Sequence, residues 1–203
     1  MEKHYDFLVI GGGIAGLTYA LKVAGKGKVG LITKTHLQEA NTKYAQGGIA
    51  SVMYEPDDFE KHIQDTLVAG DGLCDREVVE MVVKKAPSQI RQLIEWGVEF
   101  DRNENGRFEL GREGGHSEYR VLHHKDNTGE EIQNKLVQQV KRHDNIEVME
   151  YHFAVDLITQ HHLGKKVTRS TTDIECYGAY VLNLKTSEVA TILSKITVIA
   201  TGG

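Results

Sequence analysis

Only two cysteines, Cys74 and Cys176, occur in the 203 residues, too few for a disulfide framework and in keeping with a reducing cytoplasm. Long apolar runs are also missing. None approaches the ~20 residues that a membrane-spanning helix needs, and no signal peptide is expected ahead of the first apolar strand. Internal repeats, low-complexity tracts and flexible linkers are absent. Positive charge is in deficit, 24 Lys and Arg against 29 Asp and Glu for a net charge of -5, which argues against nucleic acid as the main partner. His116, His123 and His124 lack the cysteine or carboxylate pattern of a metal centre, so no metal is expected. What remains is 40% hydrophobic and 26% charged, the make-up of an ordinary globular protein long enough to bury a sizeable core.

The most informative stretch is Tyr5 to Gly16, Y-D-F-L-V-I-G-G-G-I-A-G. Phe7 to Ile10 form a continuous apolar run suited to a strand buried on both faces. Ile14, Leu17, Leu21 and Ala24 then recur at helical spacing. Gly11, Gly13 and Gly16 therefore sit where a strand feeds a helix N-terminus, the context that gives G-x-G-x-x-G its meaning. In that context Gly11 permits the tight turn, Gly13 lets main chain approach a pyrophosphate, and Gly16 lets helix and sheet pack closely. Helix-end amides and the helix dipole favour the phosphate charge. A glycine-rich crossover without ligand is the plain alternative.

Lys28 to Thr33 reads as a second parallel strand, completing a βαβ unit. The carboxylate that a nicotinamide enzyme normally offers near the end of that strand is replaced by Thr33 and Lys34, which weakens an NAD reading. Residues 38 to 54 form a loop around Gly47-Gly48 with a strand-like tail, either a backbone platform for a flat ring or a simple connection. Asp57 or Asp58 caps a helix carrying Phe59, Ile63 and Leu67 that ends near Gly70. A second helix starts about Asp75 and buries Val78, Val79, Val82 and Val83. Pro87 is expected to break or restart it before a stop at Gly97.

Val98 to Asp101 and Arg107 to Leu110 read as two short strands joined through Asn105-Gly106. Gly111 to His124 then concentrates charge, histidine and glycine, as a polar surface loop or an active-site segment. Asp126-Asn-Thr-Gly129 opens a helix with Ile132, Leu136, Val137 and Val140 on one face. Beyond Ile146 the pattern is of strands, 146–151, 153–160, 174–184 and 189–200, with His161-His162 at a hairpin tip. The whole predicts an α/β fold, a Rossmann-like domain with a parallel sheet and an antiparallel β-meander inserted before the last core strand.

Taken together and in order, the glycine fingerprint, Tyr44-Ala-Gln-Gly-Gly48, Asp71-Gly-Leu-Cys-Asp75, Arg112-Glu-Gly-Gly-His-Ser117, Asp126-Asn-Thr-Gly129 and Ala200-Thr-Gly-Gly203 resemble the flavoprotein family that contains L-aspartate oxidase, succinate dehydrogenase and fumarate reductase. The resemblance implies FAD. It assigns Gly11, Gly12, Gly13, Ile14, Ala15 and Gly16 to the pyrophosphate turn and Lys34 to a basic residue beside the nucleotide. Asn41, Thr42, Lys43, Tyr44, Ala45, Gln46, Gly47 and Gly48 match the segment along the isoalloxazine. Ala154 matches a strand position that meets adenine through its backbone, and Thr201 and Gly202 match a late turn closing on the cofactor.

Two positions discriminate within the family. Where the dicarboxylate enzymes carry a histidine bonded covalently to flavin, this chain has Asn41, so FAD is expected to be non-covalent. Glu113, in the R-E-G-G-H-S of aspartate oxidases, offers a carboxylate for a substrate ammonium group. The resemblance thus implies hydride transfer from L-aspartate to FAD, giving iminoaspartate for quinolinate and NAD synthesis, with O2 or fumarate as acceptor. It further implies that residues 1–203 are an N-terminal FAD-binding domain with 98–125 near the active site, that the capping domain with its arginines lies outside them, and that this stretch alone turns over little. A soluble fumarate reductase or succinate dehydrogenase flavoprotein, or a non-catalytic nucleotide-binding module, are the alternatives.

Overall fold

The computed structural model describes residues 2–202; Gly203, the last residue of the Ala200–Gly203 motif, lies outside them. The chain divides into two compact units, Met1–Thr42 with Leu136–Gly203, and Lys43–Lys135.

The first unit is built on β1 (Glu2–Ile10), α1 (Ile14–Val23) and β2 (Val29–Thr33). Every residue of β2 is buried, as are Leu8, Val9 and Ile10 of β1, which is what an apolar run gains by pairing inside a parallel sheet. β6 (Ile146–Glu150) lies parallel to β2 on its outer side. On the other side of β1 comes β9 (Val189–Ile199), also parallel, and then β8 (Cys176–Asn183) and β7 (His152–Thr159), giving the order β6-β2-β1-β9-β8-β7.

The meander is present, but it is not a separate insertion. β9 is at once its last strand, antiparallel to β8 through Val189–Leu193, and a core strand parallel to β1 up to Ile199. Its length lets one strand serve two partners. Ala179 and Val181 of β8 and Ile192 of β9 therefore share a core with Leu8, Ile10, Ile32 and Met149. His161 and His162 lie in a 3-10 turn, Gln160–Leu163, that follows β7.

In the second unit, α2 (Phe59–Ala69) is capped by Asp58, whose side chain accepts from the Lys61 amide, and α3 (Arg76–Glu95) by Asp75. Two expectations fail in α3. The helix runs unbroken through Pro87, because Val83, Ile90 and Leu93, all buried, anchor it on both sides of the missing amide. Val78 and Val82 are exposed rather than buried. The hairpin of residues 98–110 reduces to one bridge, Arg102 to Phe108. Strand pairing goes instead to a small antiparallel sheet of β3 (Ile49–Ala50), β5 (Val121–Leu122) and β4 (Leu110–Gly111), in the order β3-β5-β4.

α4 spans Thr128–Lys141 and buries all four of its expected apolar residues. No helix among the described residues is long and apolar enough to cross a membrane.

A methyl group at Gly16 would collide with the Gly11 carbonyl oxygen, whereas at Gly25 it would meet nothing within 4 Å. Gly16→Ala should cost about 1–3 kcal/mol by overpacking and Gly25→Ala at most about 0.5 kcal/mol. Denaturant unfolding of the two variants side by side checks this.

Candidate cofactor and substrate site

β1 ends in a turn whose geometry only glycine supports. Gly11 has φ of +119°, and a Cβ there would overlap the Ala200 carbonyl. Its amide donates to Ile32 O at 2.9 Å, and the Ala200 amide donates to Ile10 O at 2.8 Å. The first glycine turn and the late Ala200–Gly202 turn are thus held together. Gly12 is buried against Leu37 and Thr33.

Gly13 is different. A Cβ there would meet only Thr42 Oγ1, at 3.4 Å. It caps α1 without any side-chain hydrogen bond, and Ile14 and Ala15 behind it are exposed. The Ile14 amide donates to Thr42 Oγ1 at 3.0 Å, and a Cβ on Gly202 would sit 3.8 Å from Asn41 Nδ2.

A helix N-terminus approached past glycine, with Thr42 the one side chain beside Gly13 and on the Ile14 amide, fits a pyrophosphate, which supplies the charge that such an end favours. Gly11–Gly16, Asn41, Thr42, Thr201 and Gly202 are brought together here. Lys34 is exposed just past β2. Ala154 is instead on β7, packed against the core that contains Ile10 and Ile32.

The second unit gathers the remaining motifs. Gly48 has φ of +103°, and its backbone lies so close to Leu122 that a side chain would collide with the Leu122 carbonyl. The Gly129 amide donates to Ala45 O at 2.9 Å, which joins the D-N-T-G turn to the Tyr44–Gly48 segment. Lys43 pairs with Glu130 at 3.9 Å, and Tyr44, Ala45, Gln46 and Gly47 are exposed. Glu113 is exposed too, and its Oε1 lies 4.0 Å from where a Cβ on Gly47 would be.

The three histidines of this region are all partnered. His116 Nδ1 accepts from the Glu113 amide at 3.3 Å, His123 Nδ1 lies 3.0 Å from Asp101, and His124 Nδ1 lies 2.8 Å from Glu99 O.

Sequence reasoning missed the charged core behind Glu113. Arg120 is completely buried. It holds Asp57 through two hydrogen bonds of 2.7 and 3.0 Å and Asp65 at 2.6 Å. The Asp65 carboxyl sits below its ordinary range: burial works against this, but the two Ser117 hydrogen bonds and Arg120 outweigh it. His62, 8% exposed and with no hydrogen-bond partner for Nδ1 among the described residues, is held below its ordinary pKa by burial first and by the Arg120 charge next; His116 adds to the shift, while Asp57 and Asp65 oppose it.

Residues 6–203 match the model of the FAD binding domain family. The chain belongs to that family. Among curated relatives, this FAD-binding domain is 47% identical over 201 residues to L-aspartate oxidase 2-a, chloroplastic, of Nicotiana tabacum, covering 99% of the chain and 30% of the relative. It is 44% identical over 207 residues to L-aspartate oxidase of Vibrio cholerae, covering all of the chain and 38% of that protein. The domain thus spans about a third of the length of these relatives. Among solved structures it resembles a point variant of E. coli quinol fumarate reductase FrdA, with a TM-score of 0.88 at 29% identity, covering the whole domain and 33% of that chain. The α/β class and FAD as cofactor, both expected from sequence, stand with the family.

Two measurements test the charged core. Arg120→Met leaves Asp57 and Asp65 facing each other without a counter-charge and should cost about 3–5 kcal/mol in denaturant unfolding. Unfolded His62 takes up a proton near its ordinary pKa of 6.5, while the folded form resists it. Its stabilising contribution is therefore complete above 6.5 and is lost as pH falls below that value toward the lower folded pKa. His62→Gln should flatten this limb of the stability–pH curve.

Proposed function

We propose that this chain is the FAD-holding part of an L-aspartate oxidase, which converts L-aspartate to iminoaspartate on the route to quinolinate and NAD, with O2 or fumarate as electron acceptor. FAD, when bound, supplies the two-electron acceptor for the hydrogen on the substrate's α-carbon. The chain's own task is to bind and orient. Gly11 to Gly16 offer main chain and a helix end to the pyrophosphate, with Lys34, Asn41, Thr42, Thr201 and Gly202 as further cofactor contacts and Ala154 as the adenine position. Lys43 to Gly48 keep the ring-side role.

Glu113 holds the substrate ammonium. The carrying observation is that its Oε1 lies 4.0 Å from where a Cβ on Gly47 would stand, beside the exposed Tyr44–Gly48 segment. A carboxylate there pairs with the ammonium group of an amino acid, which an unaminated dicarboxylate lacks. Asn41 has no nucleophile for a covalent flavin bond, so FAD is held without one. The relatives named L-aspartate oxidase support this reading, and the cytoplasm is its natural location, with no nucleic acid or membrane partner.

A second reading, a soluble fumarate reductase or succinate dehydrogenase flavoprotein, draws on the likeness to FrdA. Glu113 speaks against it, having no partner on a simple dicarboxylate.

In the full-length enzyme, Glu113→Gln should lower kcat/KM for L-aspartate by about 10- to 100-fold, the worth of a hydrogen bond to a charged group. Fumarate reduction should fall far less. Equal losses for both substrates would remove Glu113 from substrate selection and favour the second reading.

A further inference from the structure

The loop that carries Glu113 has little of its own to hold it beyond a Glu113–His116 turn and Arg112 lying over the Tyr119 ring, 5.3 Å from its centroid. Arg112, Glu113, Gly114, Gly115 and Tyr119 are exposed, and a Cβ on either glycine would meet nothing within 4 Å. Two consecutive glycines leave the main chain free to take many conformations. A carboxylate that must meet an ammonium group at hydrogen-bond distance cannot ride on such a segment unless something else fixes it.

The fixing is done from one side, by α2. Lys61, His62 and Asp65 lie on neighbouring turns of that helix, and each reaches a different loop residue. Lys61 Nζ donates to Glu118 Oε1 at 2.8 Å and to Pro56 O at 2.6 Å. The His62 ring lies edge-on to His116, centroids 6.2 Å apart. A single oxygen, Asp65 Oδ2, accepts from the Ser117 amide at 2.7 Å, the Ser117 hydroxyl at 2.8 Å and Arg120 at 2.6 Å. Arg120 is in turn locked by Asp57 and reaches the Ser117 hydroxyl at 3.3 Å.

From Ser117 the order passes back to Glu113 in one turn. The His116 amide donates to Glu113 O at 2.9 Å, and the Glu113 amide donates to His116 Nδ1 at 3.3 Å. Arg120 also fixes the opposite wall, since its own amide bonds Gly111 O at 3.0 Å and its carbonyl accepts from the Ser51 amide at 2.8 Å. Ser51 directly follows β3, the strand that leads away from Gly47 and Gly48.

We propose that Asp65, seated by the buried Arg120, is a positioning residue that clamps Ser117 and thereby holds the Glu113 carboxylate beside Gly47. The proposal rests on Glu113 being the group that selects the amino-acid substrate. Fully buried charge is an expensive way to fill space, and apolar side chains of similar volume would pack at least as stably. Directional bonds to one loop residue are what the charges add.

The test uses the full-length enzyme with Asp65→Asn and the milder Ser117→Ala, each alone and combined with Glu113→Gln. Amide hydrogen exchange of residues 112–117, measured without substrate, reads the clamp itself: both variants should speed it by about 10-fold or more by easier local opening. The KM for L-aspartate should rise by about 10-fold while that for fumarate moves much less, and the clamp variants should add little once Glu113 is already Gln. Unchanged exchange overturns the clamp even if Glu113→Gln behaves as expected. Faster exchange with equal losses for both substrates, or with effects that add to those of Glu113→Gln, reduces Asp65 to a purely structural residue. Failure of the Glu113 reading is seen separately, in Glu113→Gln alone. Should Asp65→Asn not fold, Ser117→Ala removes only a hydroxyl and carries the same measurements.

Discussion

Three stretches of main chain meet at Gly11 with no room for a side chain, and the first unit depends on that meeting. Its amide is spent on β2, the Ile10 carbonyl on the Ala200 amide, and the space where a Cβ would stand is filled by the Ala200 carbonyl. Gly16 brings α1 down onto the same point. The central strand is therefore paired on both sides only when β9 lies along it, a closure between segments far apart in sequence that carries an entropic cost. All the crowding falls on Gly11, Gly12 and Gly16. Gly13 has only Thr42 Oγ1 beside it, in ordinary contact at 3.4 Å, so the packing that crowds its neighbours leaves its own backbone approachable at a helix end.

How much of this could be read from the chain depends on the range of the forces involved. The βαβ start was legible because its apolar run, its glycines and its helical period are neighbours in sequence. The cap of α2, left between Asp57 and Asp58, and the start of α3 about Asp75 were legible for the same reason. Val78, Val79, Val82 and Val83 make too broad an apolar face for periodicity to choose the buried side; Val83, Ile90 and Leu93 won because they line up along the helix. Pro87 misled because a proline's lost hydrogen bond counts for little beside anchors on both sides of it.

Arg120 was illegible. It sits among consecutively buried residues, so no alternation marked it, and its acidic partners lie 63 and 55 residues away. Asp57 was visible as a possible helix cap, but Asp65 carried no local signal, and nothing nearby in sequence said that one arginine would join them.

A fold shared with FrdA at a TM-score of 0.88 and 29% identity cannot by itself choose between an amino acid and a dicarboxylate, because the backbone that seats the cofactor is common to both. Selection must come from a few side chains. In the proposed oxidase reading Glu113 supplies the right charge, but on an exposed loop with two glycines it would have no fixed direction, and an unfixed carboxylate in water discriminates weakly. In that reading the buried Arg120 with its two aspartates resolves the conflict. It lies out of solvent, where its bonds keep their strength and geometry, and under the proposed clamp it passes that order through Ser117 to a carboxylate that, in the oxidase reading, stays exposed to meet its substrate.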